Sequence, residues 1–289
     1  MTMKKSIACL ILLIPILVTA QLKDPYALFD AKGKKIGWEK LIELSRKADV
    51  VLFGELHNNT FAHWLELQVL KDLHKSGKNV AVGMEMFEMD DQLVINEYIA
   101  KLIDERQFTK EAKLWDNYKS DYRPLVEFAR SNSLNLVASN VPRRYANVVY
   151  RKGLSALDSL PGEAKSLMVP LPLAVDYSMS NYKSMMEGMS QHGSGTAENL
   201  VASQALKDAT MAHSILKYYK EGQLFYHVNG SYHSQDYQGI VAYLKKMKPD
   251  LNIITIHVVE QEAMNVLEKS NINKADFTFC IVADMIKSY

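Results

Sequence analysis

Residues 50–53, Val-Val-Leu-Phe, form a short unbroken apolar run that few folds accept. A strand with one wet face alternates apolar and polar residues. A strand buried on both faces does not, and such strands belong to parallel sheets covered by helices on each side. The run stops at Gly54, and Glu55 and His57 follow at once. A carboxylate and an imidazole are thereby placed just past the carboxyl end of a central strand, the edge at which open α/β sheets bind ligands.

The pattern recurs along the chain. Residues 79–84 read as a second strand followed by Glu85, and 134–138 as a third followed by Ser139 and Asn140. Residues 224–228 read as a fourth strand that leads into Asn229, Gly230, Ser231, Tyr232 and His233. Residues 251–256 and 277–282 supply a fifth and a sixth. Helical periodicity occupies 38–47, 61–75, 90–103, 122–131, 143–151, 238–246 and 261–269. Pro142 suits the first turn of the helix carrying Arg143 and Arg144, and Gly77 is a good helix stop. Asp30 to Lys34 looks like a turn near the start. Strands alternating with helices imply right-handed crossovers, so the expected fold is α/β, a mainly parallel sheet flanked by helices. Residues 155–220 break the rhythm with Pro161, Pro170 and Pro172. Two helices then follow, 181–191 and 196–219, and the segment reads as a helical lid insertion over the strand ends.

The first twenty residues stand apart. Lys4 and Lys5 precede an apolar run from Ile7 to Val18, and Val18-Thr19-Ala20 offers small residues for cleavage. This reads as a secretory signal peptide over 1–20, leaving a single domain over 21–289 that works in the periplasm or cell envelope. Cleavage would take the net charge from +1 to −1 and leave Cys280 as the lone cysteine. Near-neutral charge carries no nucleic-acid footprint. With 48% hydrophobic residues in 289, the chain can bury one large core.

Glu55, His57, Glu85, Asn140, Arg143 and His233 all fall at the ends of the four predicted strands and would meet at one sheet edge. Two carboxylates and two imidazoles suit general acid–base chemistry. Glu55, His57, Glu85 and His233 could instead hold a divalent metal. The chain has no HExxH or CxxC pattern, no glycine-rich phosphate loop and no Gly-x-Ser-x-Gly nucleophile turn.

At this point the chain resembles a known family. Gly54-Glu55-Leu56-His57, Gly83-Met84-Glu85-Met86-Phe87, Ala138-Ser139-Asn140-Val141-Pro142, the stretch from Gln204 to Ala212, and Gly230-Ser231-Tyr232-His233 are similar to the ChaN haem-binding proteins. That family sits in the larger group with Tiki/TraB-type proteins and erythromycin esterases. Both Gly-x-x-His elements match the paired motif of the Tiki/TraB relatives. The resemblance covers about residues 37–247 and implies a secreted haem or iron uptake protein, with haem as ligand and outer-membrane uptake machinery as partner. A lipid anchor is doubtful, because position 21 is Gln where a lipoprotein needs Cys.

Haem needs an apolar slot, an axial ligand and cations for its propionates. Tyr182, Met185, Met186 and Met189 lie at helical spacing on one face. Tyr182 is the expected axial ligand, with Tyr177 and His192 as alternatives, and Arg143 or Arg144 could meet the propionates. The same stripe would also serve plain packing. An exposed apolar face there would favour a homodimer around the ligand. The other class of function is a hydrolase of peptides or esters, with or without a metal, working at Glu55, His57, Glu85, Asn140, Arg143 and His233.

Overall fold

A computed structural model describes residues 24–189 and 196–289. The expected signal peptide and His192 lie outside the described residues, as does the side chain of Met189. The strands are β1 (Tyr26–Asp30), β2 (Val50–Glu55), β3 (Val80–Glu88), β4 (Asn135–Asn140), β5 (Leu224–Gly230), β6 (Ile253–Gln261) and β7 (Phe277–Val282). They form one sheet in the order β1-β7-β6-β2-β5-β3-β4. Every pairing is parallel except β1 with β7. The fold is thus α/β with a mostly parallel sheet, and β2, whose apolar run first signalled it, lies near the centre.

Side chains of β2 alternate between two helical layers, which is why the run carries no polar residue. Val51 and Phe53 join the core built with α1 (Trp38–Ser45), α2 (Thr60–Lys75), α3 (Gln92–Ile99), α4 (Glu105–Glu111) and α5 (Arg123–Ser131). The chain continues through α6 (Arg143–Lys152), the one-turn α7 (Gly162–Lys165), α8 (Ser180–Met189), α9 (Ala197–Tyr218) and α10 (Ile240–Met247). Val50 and Leu52 join the second core, with residues of α6, α8, α9 and α10. Val201, Ala205, Leu206, Ala209, Ala212 and Ile215 of α9 are all fully buried there. The second helix of the insertion is therefore a layer of the body, and α8 packs on it.

Three expectations need correction. No helix forms over 261–269. β6 runs on to Gln261, whose amide donates to the carbonyls of Ala263 and Val266 and whose oxygen accepts from Glu268 N. One side chain thus organises a loop where helical spacing suggested otherwise. The helix expected over 90–103 divides into a 3₁₀ turn and α3, and α4 follows with a capping box on Asp104 and Gln107. Finally, β1 was read only as far as its turn. It pairs antiparallel with β7, and its Leu28 and Phe29 are buried. No described helix is long and apolar enough to cross a membrane.

Candidate functional site

β2, β5 and β3 lie side by side and parallel, so their carboxyl ends deliver Glu55, Gly230 and Glu85 to one edge. The pleat sends the two acids to opposite faces. Glu55 shares the parity of Phe53 and enters the layer of α2 and α5, whereas Glu85 follows Met84 and turns toward α9. The result is two buried acid–imidazole clusters that meet at the crevice.

In the first cluster, Glu55 Oε1 accepts a hydrogen bond from the Tyr122 hydroxyl at 2.8 Å and meets His57 Nδ1 at 2.5 Å. Its Oε2 lies 3.0 Å from His63 Nδ1, and Glu66 Oε1 lies 3.3 Å from the same nitrogen. His63 and Glu66 stand one turn apart on α2. Asn59 caps that helix, its side chain accepting from Phe61 N and Ala62 N, so the start of α2 is fixed beside the motif. His63 Nε2 donates to the carbonyl of His57 at 3.1 Å. Only His57 of this group reaches solvent, with a third of its side chain exposed, and Trp115 lies edge-on beside its ring.

In the second cluster, Glu85 Oε1 meets His233 Nε2 at 2.9 Å, and Glu85 Oε2 accepts from Gly230 N at 2.8 Å. His233 Nδ1 is paired with Asp208 Oδ1 on α9, and Asp208 Oδ2 accepts from the Tyr182 hydroxyl at 2.6 Å. Tyr232 donates to the carbonyl of Asn181, and Asn181 N donates to Gln238, so the start of α8 is tied to the loop that carries His233.

The two glycines of the repeated motif serve each other's half of the site. A Cβ on Gly54 would sit 2.9 Å from Ser231 Cα, and a Cβ on Gly230 would sit 2.5 Å from His57 Nε2. Neither position has room for a side chain, so each Gly-x-x-His segment seats the other.

Electrostatics follow from this wiring. Burial pushes the Glu55 carboxyl up, but His63 and its hydrogen bonds outweigh that and hold it well below the usual range. Burial and the Glu55 charge raise Glu66 well above it. His63 gives up some affinity for its proton to burial, yet Glu66 and Glu55 bring it to about 12. Burial works against His57 too, while its bond to Glu55 raises it. Across the crevice, burial opposes ionisation of Glu85 and His233. Their mutual attraction, with Asp208, still sets them at about 2 and about 10. Each cluster therefore carries a proton on imidazole, held by carboxylates.

Of the residues expected to converge, Glu55, His57, Glu85 and His233 do meet at this edge. Asn140 ends β4 with its Oδ1 buried and without a hydrogen-bond partner. Arg143 is exposed at the start of α6, and Arg144 is committed to Asp90 at 2.6 Å. The four expected metal ligands do not form one set, because both nitrogens of His233 face carboxylates and His57 Nδ1 faces Glu55. Tyr182 is fully buried with its hydroxyl on Asp208, so here its phenol serves His233 rather than meeting a porphyrin. Tyr177 is 39% exposed, and Met185 and Met186 are half-buried against the second core.

Sequence reasoning missed His63, Glu66, Tyr122 and Asp208. Their signal was present, since His63 and Glu66 interrupt the apolar stripe of α2 and Asp208 interrupts that of α9. A charge inside such a stripe is costly unless partnered.

A parallel sheet with paired Gly-x-x-His segments and carboxylate-held histidines at its carboxyl edge defines a class of α/β proteins with a preorganised crevice. Residues 41–244 match the haem-binding uptake, Tiki superfamily, ChaN family, and the chain belongs to it. ChaN of Campylobacter jejuni, solved for its cofacial haem binding, superposes with a TM-score of 0.65 at 17% identity. The match covers 91% of this chain and 96% of that one. A succinoglycan biosynthesis protein shares the fold at a TM-score of 0.51 and 11% identity, over 84% of this chain and 90% of its own. Protein RETICULATA-RELATED 5, chloroplastic, of Arabidopsis thaliana is 28% identical over 143 residues, 47% of this chain. The match spans only 19% of that relative's length.

Proposed function

We propose that the chain is a secreted haem-binding protein of iron or haem uptake, and that haem binds at the outer side of the α8 region rather than in the crevice. One observation carries the placement: of the two candidate tyrosines, Tyr177 is exposed while Tyr182 is sealed against Asp208. Tyr177 lies between Asp176 and Met179, which line a cavity of about 240 Å³ with Val175, Ala242, Tyr243 and Lys246. The cavity supplies an apolar wall and a cation for a propionate, and the neighbouring Tyr177 would add an oxygen ligand for ferric iron, the three things haem needs. The cavity admits only one edge of a porphyrin, so the remaining face would be covered by a second copy of the chain. Carboxylates fill the crevice and make it a poor slot for an apolar ring.

Titration of residues 21–289 with haemin tests this. A Soret band should form with wild type and shift in position and affinity in Tyr177→Phe. If Tyr177→Phe and Lys246→Ala leave the spectrum unchanged while His57→Ala abolishes it, the crevice is the haem pocket.

A second reading rests on His57, whose side chain is 34% exposed where those of Glu55, His63, Glu85 and His233 are buried. Glu55 orients its ring as a general base would require, so peptide or ester hydrolysis at the crevice is the competing function. Cleavage of a peptide or ester panel that His57→Ala abolishes and added haemin does not alter would favour it.

A further inference from the structure

His63 Nδ1 faces more carboxylate oxygens than one nitrogen can serve. Its Nδ1 faces Glu55 Oε2 at 3.0 Å, Glu66 Oε1 at 3.3 Å and Glu66 Oε2 at 3.4 Å. One ring N–H can satisfy one of these. Glu55 Oε2 and Glu66 Oε1 have no well-aligned hydrogen-bond partner of their own beyond this shared nitrogen, although both residues are 1% exposed. Buried oxygens without donors are costly, and these converge on a single point.

His63 is also held as a metal-binding histidine is held. Nε2 lies 3.1 Å from the carbonyl of His57 and 3.5 Å from Asp121 Oδ2, both acceptors, so Nε2 keeps its proton when Nδ1 gives one up. An ion that displaces the Nδ1 proton would meet a lone pair pointing at the two carboxylates. Asn117 Nδ2 supports both acceptors, at 3.0 Å from the His57 carbonyl and 2.7 Å from Asp121 Oδ2. Tyr122 fixes the other oxygen of Glu55. A ligating imidazole whose second nitrogen donates to a carbonyl or carboxylate is the usual outer shell of a metal site.

We propose that Glu55 Oε2, the Glu66 carboxylate and His63 Nδ1 bind a divalent transition-metal ion in the layer between β2 and α2, behind the crevice. The ligand atoms lie within 4.8 Å of one another, so an ion can reach all three with small side-chain adjustments. Two hard oxygens and one imidazole, with no sulfur, suit manganese, iron(II), cobalt or zinc over copper(I). Binding displaces the proton that otherwise bridges this cluster. The ion stands apart from the haem placement proposed above and depends on none of it.

The burial of the site means that slow exchange must be avoided. Residues 21–289 would be refolded from urea with chelator, or with Mn²⁺, Co²⁺ or Zn²⁺, and then dialysed. Wild type should retain a single ion per chain by elemental analysis and unfold at higher temperature than the chelator-treated protein. Spin-echo modulation of the Mn²⁺ form should report one imidazole nitrogen. Glu66→Gln, which keeps the shape, should weaken metal binding by at least about 10-fold, the loss that even an outer-shell partner brings, whereas His233→Ala should not. Should Glu66→Gln fail to refold, the wild-type nitrogen count decides. Retention of no metal would mean that the cluster is held by shared protons and would overturn the proposal. Two coupled imidazoles, or loss of metal in His233→Ala with retention in Glu66→Gln, would place the ion in the crevice and overturn it equally.

Discussion

Asp208 is a carboxylate in the middle of a 22-residue helix, between Leu206 and Ala209, and all three are fully buried. It is tolerated because His233 and Tyr182 both bring it protons, the condition under which a buried charge is stable. The Tyr182 hydroxyl therefore has a structural role that can be weighed. Tyr182→Phe keeps the ring and deletes a hydrogen bond to a charged group, which should cost about 1.5–3 kcal/mol. Chemical denaturation would show that loss, while the haemin spectrum would keep its Soret position if Tyr177 is the ligand. The His233–Glu85 pair sets a pH dependence. His233 holds its proton to about 10 against an ordinary 6.5, so its contribution is complete below 6.5 and fades as pH rises through 10. Glu85 sits at about 2 against 4.5, so its contribution is complete above 4.5 and fades as pH falls toward 2. Urea unfolding of wild type and of a Glu85→Gln/His233→Gln double variant should show the largest wild-type lead between pH 4.5 and 6.5. A lead that widens from pH 7 to pH 10 would refute the ion pair.

Strands here were easier to read than what lies between them, and the reason is physical. β2, β3, β4 and β5 are buried on both faces, so their apolar runs had one interpretation, yet each ends later than its apolar run. Hydrogen bonding continues into Glu55, Glu88, Asn140 and Gly230, and along these extensions the side chains of Glu55 and Glu85 are satisfied by the clusters instead of by water. The apparent helix after β6 failed because one glutamine met the local backbone more effectively than a helix would have. His63 and Glu66 stayed hidden because helical periodicity weighs only apolar positions, and a buried polar pair subtracts from that pattern. The paired glycines were legible as a motif but not as a mutual fit. Gly54→Ala drives a methyl group against backbone at Ser231, which cannot swing aside, and overpacking of this kind costs about 1–3 kcal/mol. Gly230→Ala meets the His57 ring instead. The prediction is a split: Gly54→Ala lowers the melting temperature more, and Gly230→Ala does more to displace His57, seen as a changed His57 titration by NMR.

The sheet has one weakly protected end, and it bears on how the chain is processed. β7 would be an edge strand, with unpaired N–H and C=O groups open to another chain, were it not covered by β1 over Tyr26↔Ile281 to Asp30↔Phe277. Cleavage after Ala20, proposed from the small residues at 18–20, would keep all of β1 (Tyr26–Asp30) in the mature chain. A cut ten residues later would strip the cover. It would also remove Leu28 and Phe29, buried to 3% and 1% exposure, whose loss amounts to about 3–6 kcal/mol at the usual value for large apolar side chains. Residues 21–289 should therefore melt within a few degrees of the full-length chain. A form beginning at residue 31 should melt far lower and self-associate through β7 in a sizing experiment. Intact mass of the exported protein should correspond to a start at Gln21, without a lipid increment. A start beyond Tyr26 in a stable monomer would contradict both the processing site and the protective role of β1.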